Sequence, residues 1–286
     1  MTAEVRIGTS GWSYPDWEGV VYPGGGAGFR QLRYLAEFLD AVEVNTTFYR
    51  PPAPRLCAAW LRDTAAQQGF RFAVKLWQRF THAAEPWGEA EVRQFREAIR
   101  PLTESGRLGA VLAQYPWSFT HTRENAFAVK HLADAFADLP LVIEVRHASW
   151  QVPEYLTWLQ RRGIGFCNID QPPARNAIGE TNYVTGPVAY YRLHGRNREA
   201  WFDRAAGRDQ RYNYLYSPKE LAPWIRRIQE ARQLAAVAFV MANNHFRGQA
   251  LVNALQLRAA LAGGRVRVPP ALMEHYPILR EIAVEP

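Results

Sequence analysis

Apolar residues gather in eight short runs, each ending in polar groups: VRIGTSG from Val5, AVEVN from Ala41, FRFAVK from Phe70, LGAVLAQ from Leu108, LVIEVRH from Leu141, IGFCNID from Ile164, VAYYRLHG from Val188 and VAFVMANN from Val237. Runs this short and rich in Val, Ile, Phe and Tyr read as strands. Their nearly continuous apolarity implies burial on both faces, as in a parallel sheet. Between them, FRQLRYLAEFLD from Phe29, EAEVRQFREAIRPL from Glu89, NAFAVKHLADAFADL from Asn125 and PEYLTWLQRRG from Pro153 carry apolar residues at helical spacing. Helix punctuation agrees. Ser217 and Glu220 in SPKE form a capping box with Pro218 at the first helical position, and Gly163 suits a helix C-terminus. Eight alternating units in about 250 residues predict an α/β protein, a (β/α)8 TIM-like barrel. No linker or shift in composition divides residues 1–286, so the expectation is one domain. An open doubly wound sheet is the second choice, and it lacks the Gly-rich phosphate turn such sheets use.

In a barrel, side chains alternate between interior and helix layer, and the active site sits at the C-terminal mouth. Glu144 and Arg146 share parity, so both are expected to point into the barrel, with Val142 deeper on the same face. The same logic sends Glu43 and Asn45, Lys75, Gln114, Asn168 and Asp170, Arg192 and His194, and Asn243 to one place. A paired network of buried charges is the structural alternative. Buried ion pairs gain little over apolar residues of similar volume, however, so the cluster favours a functional mouth.

Within it, Glu144 is the candidate general acid or base, with a pKa raised by apolar surroundings unless Arg146 or Arg192 holds it ionised. His194 is its candidate partner, and Asp170 a second catalytic carboxyl. Lys75 suits a Schiff base if desolvated, although a salt bridge to a carboxylate is its commoner fate. Arg146 and Arg192 are candidate anion holders, while Glu43, Asn45, Gln114 and Asn243 complete a ligand-binding lining. Metal ligation by Glu144, His147, Asp170 and His194 is conceivable, but no HxH or HExxH spacing supports it. The cofactor therefore stays open.

Two loops exceed the usual length. After the seventh strand, GRNREAWFDRAAGRDQRYNYLYS interleaves Arg196, Arg198, Arg204, Arg208 and Arg211 with Trp201, Phe202, Tyr212, Tyr214 and Tyr216. Cations among flat aromatics suit bases or sugars attached to phosphate, or the tyrosines simply pack a lid. After the first strand, GTSGWSYPDWEGVVYP offers Trp12 and Trp17, either to stack on a ligand or to cover the barrel end. After the eighth, NNHFRGQA sets Asn244, His245 and backbone amides where many barrels bind phosphate.

Composition narrows the partners. The chain is 48% hydrophobic and 21% charged, too apolar to be disordered. Its net charge of +7 and pI of about 9.6 favour anionic partners, a small molecule or single-stranded nucleic acid. Lysine stands only at 75, 130 and 219, so the cations are overwhelmingly Arg. Cys57 and Cys167 have no CxxC spacing and read as apolar fillers. No basic patch precedes an apolar stretch at the N-terminus, and no run approaches the ~20 apolar residues of a membrane span. A cytoplasmic protein without membrane contact is expected, in an oligomeric state the sequence does not fix.

Taken in order, IGTSGWSYPDW, VEVNTTFYR, FRFAVK followed by Thr81 and His82, QYPWSF, EVRHASW, YRLHGR, YNYLYS and NNHFRGQALVNA resemble the YecE-like family, a domain of unknown function (domain of unknown function 72). The resemblance covers nearly the whole chain and implies a TIM-type barrel. It brings no reaction with it. The chemistry expected from the residues is an enzyme or binder for a phosphate-bearing or nucleic-acid-derived ligand, with phosphodiester hydrolysis as the reaction. The alternatives are a non-catalytic nucleic-acid-binding module and a sugar lyase or isomerase.

Overall fold

A computed structural model describes residues 2–24, 28–203 and 205–284; Arg204 and the side chains of Phe202 and Arg208 lie outside the described residues. Each of the eight apolar runs forms a strand: β1 Glu4–Ser10, β2 Ala41–Val44, β3 Arg71–Lys75, β4 Leu108–Gln114, β5 Leu141–Glu144, β6 Gly165–Asp170, β7 Val188–Leu193 and β8 Val237–Ala242. Neighbours in the chain are parallel neighbours in space, and β1 pairs with β8 through Ile7 and Val240 to close the barrel. The helices are α1 Gln31–Leu35, α2 Thr46–Tyr49, α3 Pro54–Asp63, α4 Glu89–Glu104, α5 Arg123–Ala135, α6 Pro153–Arg162, α7 Arg198–Phe202, α8 Arg208–Arg211, α9 Pro218–Ala231, α10 Gln249–Ala262 and α11 Pro270–His275. This is the expected (β/α)8 barrel.

The punctuation read from sequence holds at both marked ends. Glu220 accepts from the Ser217 amide at 2.9 Å while Ser217 Oγ accepts from the Glu220 amide, opening α9. Gly163 ends α6 at φ 65°, a left-handed conformation that glycine adopts without strain. The segment from Phe29 differs. It is helical only over α1, and short turns such as Phe38 N to Leu35 O follow. Its apolar spacing reflects the burial of Phe38 and Leu39 rather than a longer helix.

Two cores follow from burial on both strand faces. One lies between barrel and helices; the other fills the barrel with Ala41, Ala73, Leu112, Val142, Cys167, Ile169, Tyr190, Phe239 and Met241. Phe239 plugs the lower end so tightly that a Cβ on Gly109 would meet its ring at 2.3 Å. Above this plug the interior positions turn polar, and there the site begins.

The phase of β6 departs from expectation. Cys167 and Ile169 point inward, so Asn168 and Asp170 face the helix layer. Asn168 Oδ1 accepts from the Tyr183 amide and Thr181 Oγ1, both at 2.8 Å. Asp170 accepts from Trp224 Nε1 on α9 at 2.6 Å and from Arg196 at 2.5 and 2.8 Å. Asp170 is therefore a scaffold carboxylate rather than a third group at the mouth. Both parities of β6 carry apolar residues, so alternation alone leaves its phase ambiguous.

Candidate functional site

The strand ends build a stack of charges that rises from the plug to the mouth. Tyr190 donates to Glu43 Oε2 at 2.8 Å, and Glu43 Oε1 accepts from Arg192 Nη2 at 2.7 Å. The other arm of the Arg192 fork reaches Glu144 Oε2 at 2.6 Å. Glu144 Oε1 in turn accepts from Arg146 Nε at 2.9 Å. The order in depth is decisive: the side chains of Glu43 and Glu144 are 0% exposed, Arg192 is 2% and Arg146 is 15%. The acids are sealed below and the cations meet the cavity.

The electrostatics revise the catalytic expectations. Burial alone would raise the Glu144 pKa, but Arg192 and Arg146, helped by His194, outweigh it and hold the carboxyl well below the usual range. The expected raised pKa does not occur, because both arginines approach it. His194 is fully buried with Nδ1 2.8 Å from the Asn243 amide. Burial, then the charge of Arg192, pushes it down to about 3, so the ring is neutral near pH 7 even though Glu144 lies 3.7 Å away.

Lys75, the last residue of β3, lies at the cavity floor. Its Nζ donates to Gln114 Oε1 at 2.8 Å and sits 4.0 Å from the Phe48 ring centroid. The salt bridge to a carboxylate expected from its neighbours is not formed; Arg192 and Arg146 take both acids instead. Burial, then the charge of Arg192, pushes Lys75 down to about 7.

The cavity above these groups measures about 560 Å³, within the range of small-molecule sites. Asn45, Lys75, Gln114, Arg146, Arg192 and Asn243 supply its polar floor, and Trp12 and Tyr212 its flat walls. Glu43, Glu144 and His194 stand directly beneath. Asn244 and Tyr214 do not belong: Asn244 donates to the Tyr214 carbonyl at 2.7 Å and to Asn253 behind the barrel, and the Tyr214 hydroxyl donates to Glu220. Trp17 is a cover, buried with Nε1 donating to the His245 carbonyl. His147 caps the turn at Ala148–Trp150 instead of joining the site. Among the described residues no group of three or more His, Cys, Asp or Glu side chains is arranged to hold a metal ion. Asp170 and His147 turning away from Glu144 and His194 accounts for this.

Sequence reasoning missed much of the wall. Phe48 and Tyr49 on α2, Leu56 and Trp60 on α3, and His82 after β3 complete it. Trp12 meets Trp60 edge to face at 5.7 Å, and Tyr14 stacks on His245 at 4.3 Å. His82 is lowered to about 4 by partial desolvation and by Lys75 and Arg146. The usable signal for Phe48 and Tyr49 was position, because TTFYR follows directly on Asn45 at a strand end.

Fold and site together define a TIM-type barrel with a cation-floored, aromatic-walled pocket at its C-terminal mouth. The family described as "Protein of unknown function DUF72" matches residues 6–275, and the chain belongs to that family. It is 28% identical over 271 residues to the UPF0759 protein YunF of Bacillus subtilis, covering 88% of this chain and 93% of that one. A crystal structure of a DUF72 family protein from Thermotoga maritima superposes with a TM-score of 0.80 at 32% identity, covering 91% of this chain and 99% of that one. One from Enterococcus faecalis gives 0.78 at 29%, covering 90% and 95%. Among the described residues no helix is long and apolar enough to cross a membrane.

Proposed function

We propose that the mouth binds a small phosphate-bearing or nucleic-acid-derived anion with a flat body, in a cytoplasmic setting. The observation that carries this reading is the order in depth, with Glu43 and Glu144 sealed beneath Arg192 and Arg146. An entering ligand meets donors: Arg146, Lys75, Gln114, Asn45 and Asn243. Charge-assisted hydrogen bonds to an anion are strongest in such a partly dry place. Trp12, Trp60, Phe48 and Tyr212 offer flat faces at the height where a base or sugar attached to that anion would lie.

The binding reading is better supported than phosphodiester hydrolysis. Glu144 is already engaged by two arginines, and His194 is buried beneath them. Neither reaches the cavity to activate water. Calorimetric titration with adenosine, AMP and inorganic phosphate tests the reading. AMP binding, with adenosine at least about tenfold weaker, is expected from the loss of one charge-assisted contact. No heat from AMP or phosphate at millimolar concentration overturns it.

A further inference from the structure

We infer that Lys75 is an amine nucleophile which captures a carbonyl group of the ligand as an imine. Three observations place it in that role. Its Nζ faces the cavity from the end of β3, with Gln114 Oε1 as its hydrogen-bond acceptor and the Phe48 ring centroid 4.0 Å away. Both nearby carboxylates are paired with arginines, so among the described residues no carboxylate forms a salt bridge with Lys75. Its backbone is fixed, because Thr47 Oγ1 holds the Lys75 carbonyl at 2.7 Å and ties β3 to the segment after β2.

The charged groups around it pull in opposite directions, and burial tips the balance toward the free amine. Burial, Arg192 and Arg146 disfavour the ammonium, Glu43 and Glu144 favour it, and the balance brings it down to about 7. His82, at about 4, adds no positive charge near neutrality. A large share of the molecules therefore carries the free amine at pH 7.5, whereas a lysine with the ordinary value of ~10.4 is almost wholly protonated there.

The step balances without another reagent. The Nζ lone pair adds to the carbonyl carbon, and the C=O π pair moves to oxygen. Both amine protons leave with that oxygen as water, and a C=N bond remains. Arg146 and Asn243, which also line the cavity, are the donors available to the oxygen while it carries charge.

The inference rests on the anion-binding reading only for the preference for an anionic carbonyl compound. The test therefore uses one charged aldehyde and one neutral one, glyoxylate and glycolaldehyde, each with sodium borohydride at pH 7.5 and peptide mapping by mass spectrometry. Lys75, Lys130 and Lys219 are the lysines of the chain, so assignment is direct. Lys75 is expected to be reduced and alkylated at least about tenfold faster than Lys130 and Lys219, with a rate that rises through pH 7. AMP is expected to slow it, and Lys75→Arg, which removes the amine, to leave only the slow labelling of Lys130 and Lys219. Modification of Lys130 and Lys219 with Lys75 untouched by both aldehydes overturns the inference, and it falls alone if AMP nevertheless binds. Rapid trapping by glycolaldehyde in a protein that binds neither AMP nor phosphate upholds the imine and removes the anion reading.

Discussion

Arg192 Nη1 lies 2.6 Å from Glu144 Oε2 inside the closed barrel, and the other arm of the same guanidinium holds Glu43. One cation thus compensates two carboxylates that have no access to water. Arg192→Met should cost about 3–5 kcal/mol, because it leaves uncompensated buried charge behind. Arg146→Ala should cost only about 1 kcal/mol, since Glu144 keeps Arg192 and water can enter from the cavity side. Urea melts of the two variants check this, and equal losses would contradict the order in depth.

His194 gives stability a pH dependence with a definite sign. Its folded pKa of about 3 lies below the ordinary ~6.5, so between those values the unfolded chain binds a proton that the native barrel excludes. This contribution is fully present above pH ~6.5 and is lost as pH falls toward 3, at about 1.4 kcal/mol per pH unit. Glu144, lowered well below its ordinary value, adds a loss of the same sign only below pH ~4.3. Urea melts between pH 6.5 and 5 should therefore weaken steadily. His194→Gln should flatten that slope by about one proton.

The strands were legible because a parallel barrel buries both faces of each one, which leaves apolar runs that no surface helix shows. The stack of Glu43, Arg192, Glu144 and Arg146 was legible too, since charges inside such runs must aim at the one wet end of the barrel. Three things were not. The phase of β6 was hidden because Phe166 and Cys167 are equally apolar on opposite faces, and this misdirected Asp170. Trp12 and Trp17 are five residues apart in one loop, and only the fold makes one a wall and the other a cover. Phe48 and Trp60 sit on helices where an aromatic residue ordinarily means core, so only the position of Phe48 just after a strand end could point to the far wall.

Asp170 now serves as a control for the site. It accepts from Trp224 and Arg196 in the helix layer, away from the cavity. Asp170→Asn keeps the shape but removes the charge from a buried bond network, at a cost of about 1–3 kcal/mol. Affinity for AMP, measured per folded molecule, should stay within about twofold of the parent. A tenfold loss would return Asp170 to the binding machinery.

The final prediction separates a pocket from a nucleic-acid track. The lid cations that would follow a strand are partly committed: Arg196 pairs with Asp170 and Glu180, and Arg211 Nη2 donates to the Asp203 carbonyl. The cavity, at about 560 Å³, has room for one nucleotide rather than a run of them. Each phosphate neutralised on a single strand contributes a slope of about −0.7 to log K against log salt. A ligand held by one phosphate in the mouth should give a slope of about −0.7, close to the same for AMP as for a short oligonucleotide. Arg146→Ala should weaken AMP binding by at least about tenfold, the loss of one charge-assisted contact at the cavity face. Titrations of AMP and an oligothymidylate from 50 to 300 mM salt check both statements. An oligonucleotide slope steeper than about −3, insensitive to Arg146→Ala, would mean that the chain grips nucleic acid along its surface and that the mouth is not where the anion binds.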